Sequence, residues 1–241
     1  MSGPDGWPPT TWDPAAAPPT EGTWRSPGYR PSRGRARGAM IAIGAATVAI
    51  LAVTGVELRG IGVLDAAHRG ILSADQAAAF DETLAMASLV EVWLLVVSGI
   101  VFLGWLSRVV EVIPPLTGRT PLRGPRQAIG WWFVPFAAWI VPYQIVGDAA
   151  RRLRPEGSGD LAGMRRAWWA TWLLGNFVGS SAALFRDGSF EGMQAMLVTS
   201  VVFDLTLAVA GVLLILLVHR IQAWAEERAD AHGPFAPVSI R

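Results

Sequence analysis

Polar and apolar residues in this chain come in blocks rather than in alternation. Apolar runs occupy about residues 39–56, 84–106, 128–147, 167–185 and 195–218, and most of the arginines, prolines and acidic residues fall between them. Runs that approach or pass about 18 apolar residues predict membrane-spanning helices. The expected fold class is therefore all-α, an integral membrane helical bundle.

Each run carries its own punctuation. The first, Ala39 to Val56, follows Arg30, Arg33, Arg35 and Arg37, which would hold its start in the cytoplasm. Residues 57–83 are acidic and read as the first loop, within which Ser73 and Gln76 form a capping box for a helix that runs into the second span. That span, Leu84 to Leu106, ends at Trp105 and Arg108, as an aromatic and basic anchor would. Pro114, Pro115, Pro121 and Pro125 then end the helix in a basic loop. The run at 167–185 opens with Trp168, Trp169 and Trp172, which read as an interfacial belt.

The run at 128–147 is the irregular one, because Pro135 and Pro142 each remove a backbone donor. If all five runs cross, the arginines divide 10 against 10 between the two sides. If the broken run enters and leaves by one face, 17 arginines lie on one side and 3 on the other. The tendency of basic loops to stay in the cytoplasm favours the second layout: four transmembrane helices plus a Pro-broken re-entrant or interfacial segment, with five spans as the alternative. Pro142 would then sit in the first turn of a short surface helix, with Ile145, Val146, Ala149 and Leu153 inward and Gln144, Asp148, Arg151 and Arg152 outward. Both termini are expected in the cytoplasm of a bacterial plasma membrane.

Residues 1–38 hold eight Pro and six Gly without apolar periodicity, which predicts a disordered cytoplasmic tail. The tail is too long and polar to open a secretory signal, so the first run reads as a retained anchor. The membrane domain is expected over 39–220 and a cytoplasmic C-terminal tail over 221–241.

Composition sharpens this picture. Hydrophobic residues make up 52% of the chain and charged residues 16%, against roughly a quarter charged in soluble domains. All 20 basic residues are Arg, and Asn176 is the only Asn. The absence of Cys excludes disulfides, thiolate metal sites and cysteine nucleophiles. His68, His219 and His232 lack zinc-site spacing, and no Gly-rich phosphate loop is present. No cofactor or metal is expected, no catalytic residue is assigned, and nucleic acid is not an expected partner.

Three polar residues within apolar runs stand out as candidates. Asp204 lies near the middle of the last span, where a carboxylate costs at least about 2.5 kcal/mol, so it should face protein or water. It shares a stripe with Ser200, Ala208 and Gly211. Glu91 lies about two turns into the second span with Ser88 and Ser98 near its face, and the two carboxyls could belong to one proton or cation path or be merely structural. Asn176 sits beside Gly175 and Gly179, a G-x-x-x-G spacing for close helix packing, and reads as a polar link between helices.

Three pieces, in order, carry a family resemblance: FLGWLSR (Phe102 to Arg108), GWWFVPFAAWIVPYQIVGD (Gly130 to Asp148) and AWWATW (Ala167 to Trp172). They resemble the core of the DUF4328 family of uncharacterised bacterial multi-pass membrane proteins. The motif positions in the broken segment are Trp131, Trp132, Pro135, Pro142, Tyr143, Gln144 and Asp148. Glu111, Val112 and Ala138 stand where the family pattern suggests basic residues or Asn. The resemblance implies a class of membrane protein and supplies no catalytic residues.

The leading functional expectation is a non-enzymatic scaffold or accessory component that presents a basic cytoplasmic face to anionic lipid headgroups, protein partners or copies of itself. The alternative is a small transporter, channel or transporter subunit whose ion path uses the intramembrane carboxylates.

Overall fold

The computed structural model describes residues 31–181 and 189–231, and all the regular structure among them is helical. Six α-helices follow in order: α1 (Arg33–His68), α2 (Ala74–Thr117), α3 (Pro125–Gly130), α4 (Val141–Leu153), α5 (Ala162–Ser181) and α6 (Phe190–Ala231). Two 3₁₀ turns, Trp131–Phe133 and Ala137–Trp139, separate α3 from α4. The expected tail through residue 30, the end of the fourth run at 182–185, and residues 232–241 lie outside the described residues.

Three helices, α1, α2 and α6, are long and apolar enough to cross a membrane, and the bent pair Pro125–Phe133 and Ala137–Leu153 would make a fourth span if counted as one. α5, expected as a span, is 20 residues long but falls short of the other three in apolar content. Its first turn carries Arg165 and Arg166, and its body Asn176 and several Gly and Ser.

The long helices overrun the sequence boundaries. α1 begins at Arg33 rather than Ala39 and continues to His68 through the expected acidic loop. At 1.5 Å per residue its 36 residues reach about 54 Å, well beyond the roughly 30 Å hydrocarbon core. The capping box at Ser73 is present, Gln76 N donating to Ser73 Oγ at 3.2 Å and Ser73 N to Gln76 Oε1 at 3.0 Å. Pro114 and Pro115 do not end α2; the helix includes them and stops at Gly118, whose left-handed φ of 65° lets its N–H bond Pro114 O at 2.8 Å. α6 likewise continues through the expected C-terminal tail to Ala231.

α1 packs lengthwise on both α2 and α6, and α5 packs along α6. Small residues permit the close approaches. A Cβ at Gly179 would meet the Phe203 ring at 2.8 Å, and one at Gly175 would meet Leu207 at 3.2 Å. The G-x-x-x-G of α5 is thus its contact face with α6. Between lipid-facing helices hydrophobic burial drives little, so such backbone proximity and interhelical hydrogen bonds carry the association.

One end of the bundle is tied by a polar chain that starts buried at Ser32, Trp105 and Gln222 and ends exposed at Arg33. Ser32 Oγ (2.9 Å) and Trp105 Nε1 (3.3 Å) both donate to Gln222 Oε1, and Gln222 Nε2 donates to Glu226 Oε1 at 2.9 Å. Arg33 completes it with two bonds to Glu226 at 2.9 and 2.6 Å. Trp105 is therefore a buried link between α2 and α6, not an interfacial anchor, being 1% exposed.

The broken segment departs from and returns to this same end. The residue before a proline is pushed to extended backbone, and Val134 has φ −94°, ψ 116°. Phe136 follows at φ 61°, and the two arms meet at 112°. Returning, α4 buries Ile145, Val146, Ala149 and Leu153 and exposes Gln144 and Arg151, as its pattern predicts. Asp148 departs from that pattern: it is buried, accepting from Leu122 N at 2.7 Å and from Arg152 Nε at 2.8 Å. It staples the loop after α2 to α4. At the far end of the segment, Arg228 on α6 holds the carbonyls of Leu153 and Arg154 at 2.9 and 2.6 Å.

Candidate intramembrane carboxyl site

α1, α2 and α6 bring polar residues together inside the bundle. Thr54 and Glu57 lie three apart on α1 and so share a face; both are buried. Opposite them α6 presents Asp204, 3% exposed, whose Oδ2 lies 3.3 Å from Thr54 Oγ1, a hydroxyl that also has Ile50 O at 2.9 Å. The Glu57 and Asp204 carboxyls lie within hydrogen-bonding reach, and Glu91 on α2 is near enough for its charge to act on Glu57 and to feel Asp204. Glu57 Oε2 is buried without a hydrogen-bond partner. Among the described residues none of the three carboxyls has an ion pair with Arg, and no group of His and acidic side chains is arranged to hold a metal ion.

Glu91 and Asp204, singled out in the sequence, thus lie buried within electrostatic range of each other, and Glu57 joins them. Its position just past the first apolar run disguised it as a loop residue. The signal was present in Thr47, Thr54 and Glu57, which continue one polar stripe at helical spacing past Val56. The stripe on α6 divides: Asp204 and Ala208 are buried, Gly211 lies against Thr47, and Ser200 is half-buried.

Toward the tied end lies a cavity of about 180 Å³, lined by Ile43, Thr47, Ser98, Phe102, Trp132 and Trp168 among others. α2 and α5 do not pack along one another, so its walls come from four helices and its end from the broken segment. Thr47 and Ser98 donate back to Ile43 O and Leu95 O, both at 2.8 Å, so their oxygens keep lone pairs for a guest. Trp132 Nε1 is buried and unpartnered.

Of the motif residues in the broken segment, Trp132 lines this cavity. Trp132 meets Phe102, Trp169 and Trp172 edge-on at 5.7, 6.2 and 6.1 Å between centroids. Trp169 Nε1 donates to Trp139 O at 3.0 Å, satisfying a carbonyl freed by the break. Tyr143 lies against Trp169 and under the Arg165 guanidinium, 4.0 Å from its ring, while the Arg123 guanidinium lies 5.7 Å from Trp131. Trp168 and Trp169 are accordingly buried, 1% and 7% exposed, instead of forming the expected interfacial belt. Pro135 is exposed near the bend, and Pro142 is buried in the first turn of α4. Asn176 does not join the carboxyl site or bridge helices; it is exposed and donates to Trp172 O of its own helix at 2.7 Å.

Three or four apolar helices of spanning length, with carboxyls gathered at their interface, define a polytopic helical membrane protein. The chain belongs to DUF4328, a domain of unknown function, whose family profile matches residues 69–223. The match takes in Glu91 and Asp204 but leaves out the whole of α1, and with it Thr54 and Glu57. No curated protein and no solved structure matches the chain.

Proposed function

We propose that this protein is a small proton-handling transporter or transporter subunit, and that Glu57, Glu91 and Asp204 bind and relay the proton within the membrane. The observation that carries the reading is that three buried carboxyls from three helices lie within electrostatic range of one another, none of them in an ion pair with arginine among the described residues. Intramembrane acids are costly to maintain and commonly mark ion paths. Two carboxyls in contact away from water are most stable sharing one proton, since a second negative charge would face both burial and repulsion. The Thr54 oxygen, with its proton toward Ile50 O at 2.9 Å, lies 3.3 Å from Asp204 and can accept from it when that carboxyl is protonated, and Thr47, Ser98 and the cavity beyond them offer a route toward the tied end.

In this reading the tied, arginine-rich end faces the cytoplasm with both termini, and the broken segment enters the membrane interface from that side without crossing. Support comes from the 17 to 3 division of arginines and from a segment that leaves and returns to one end of the bundle. The exposed Phe133, Phe136, Trp139 and Ile140 near its bend suit the lipid interface. The same basic platform favours a second role, presentation of a binding face to cytoplasmic partners or anionic lipid.

The test is proton flux into liposomes that contain the full chain, driven by a potassium diffusion potential and read with an entrapped pH dye. Flux above that of empty liposomes is expected, reduced at least about tenfold in Asp204→Asn and Glu57→Gln that still assemble. Flux equal to empty liposomes, or unchanged in both variants, overturns the proposal.

A further inference from the structure

The ends of three helices gather five guanidinium groups around one concavity. α2 stops at Gly118, whose left-handed turn swings the chain outward, and Arg119 N is then fixed by Thr117 Oγ1 at 3.2 Å. α4 stops before Pro155, leaving Arg151, Arg152 and Arg154 around its last turn. α6 brings Arg228. These five arginines and Glu156 line a concavity of about 460 Å³.

The members differ in how firmly they are held. Arg152 is fixed by Asp148 at 2.8 Å, and Arg151 reaches the same carboxylate at 3.6 Å. Arg228 is fixed by the Leu153 and Arg154 carbonyls. The side chains of Arg119 and Arg154 form no ion pair or side-chain hydrogen bond among the described residues, and both are exposed. A scaffold of anchored cations thus carries two guanidiniums with all donors available, against one lining carboxylate, Glu156.

We infer that this concavity is a binding site for a phosphate-bearing anion. Guanidinium forks match phosphate oxygens two at a time, and cations anchored in advance lose little freedom when the anion arrives. Such an anion would also relieve the repulsion among these guanidiniums that Asp148 and Glu156 leave unbalanced. Its source is constrained by depth. Arg228 and Thr117 lie roughly 15 Å along their helices beyond the apolar runs that end at Val218 and Leu106. The headgroup layer on each side is only about 5–8 Å thick. A soluble phosphate compound therefore fits the height of the site better than the headgroup of a bilayer lipid.

The experiment is calorimetric titration of the full-length protein, held in phosphatidylcholine nanodiscs, with pyrophosphate and with inorganic phosphate. Saturable binding is expected for pyrophosphate, weaker for phosphate and weakened by salt. The exposed pair Arg119→Gln with Arg154→Gln should weaken it on the order of tenfold or more, whereas Arg126→Gln, outside the concavity, should not. A parallel series in discs containing phosphatidylglycerol separates the sources. If that lipid competes with pyrophosphate in wild type and not in the pair variant, the site stands and a headgroup can fill it; if it does not compete, the site stands as one for soluble anions. Pyrophosphate heats no different from a chloride blank, or equal affinity in wild type and the pair variant, overturn the inference. The carboxyl site is not involved, so Asp204→Asn should bind pyrophosphate as wild type does.

Discussion

Glu226 is the residue at which the tied end of the bundle responds to pH. The hydrogen bonds from Arg33 are the main reason its carboxyl is held below the usual range; burial pushes it the other way, while Gln222 and the charges of Arg33 and Arg37 add to the lowering. A carboxyl lowered in the folded state contributes stability above its unfolded pKa, about 4.3, and loses it as pH falls through its folded value. Wild type should therefore lose more thermal stability than Glu226→Gln between about pH 6 and about pH 3, as read by unfolding in detergent. The Arg33 side chain is 59% exposed, so the difference should shrink at high salt. Parallel curves for the two proteins would remove Glu226 from the account. Much at this scale was legible in advance, since Glu91 and Asp204 stand out against apolar runs whatever the fold. Glu57 and Gln222 were not, because each lies where an apolar run has ended, and only the continued helix turns it inward.

Among the elements, α5 depends most on a single kind of contact. Its face toward α6 is made of Gly175 and Gly179, and at Gly179 a Cβ would stand 2.8 Å from the Phe203 ring. Gly179→Leu should force α5 away from α6 and destabilise the protein by about 1–3 kcal/mol, the usual range for overpacking. Gly163, on the same helix with nothing within 4 Å of its would-be Cβ, supplies the control. Equal thermal midpoints for Gly179→Leu and Gly163→Leu would show that the two helices are not held by this contact. The small-residue spacing was readable from sequence because helix geometry alone puts positions four apart on one face. The ends of α1, α2 and α6 were not, because hydropathy marks where lipid contact ends and carries no notice of a helix that continues into water. Pro114 and Pro115 illustrate the difference: they remove backbone donors, yet α2 closes over them one turn before its glycine stop.

For the whole molecule the decisive feature is that residues 119–166 assemble at the end of the bundle where α1 begins and α6 ends. Asp148 binding Leu122, Arg228 binding Leu153 and Arg154, and Arg165 donating to Tyr143 O at 3.1 Å close this layer on itself. These bonds are what supports the proposed layout, in which the segment enters and leaves by one face. The orientation can be read because the chain lacks Cys, so a single introduced thiol reports one position. Ile71, 68% exposed between α1 and α2, and Ser158, between α4 and α5, lie at opposite ends of the bundle. In intact cells Ile71→Cys should react with a membrane-impermeant thiol reagent, and Ser158→Cys should react only after permeabilisation. The reverse pattern would invert the molecule and put the five-arginine concavity outside the cell, beyond reach of cytoplasmic phosphate compounds. Labelling of both in intact cells would mean that residues 119–166 pass through the bilayer, and would overturn the proposed layout. The orientation experiment therefore also bears on the proposed proton route, since it fixes which side of the membrane the end of the bundle nearer Thr47 and Ser98 faces.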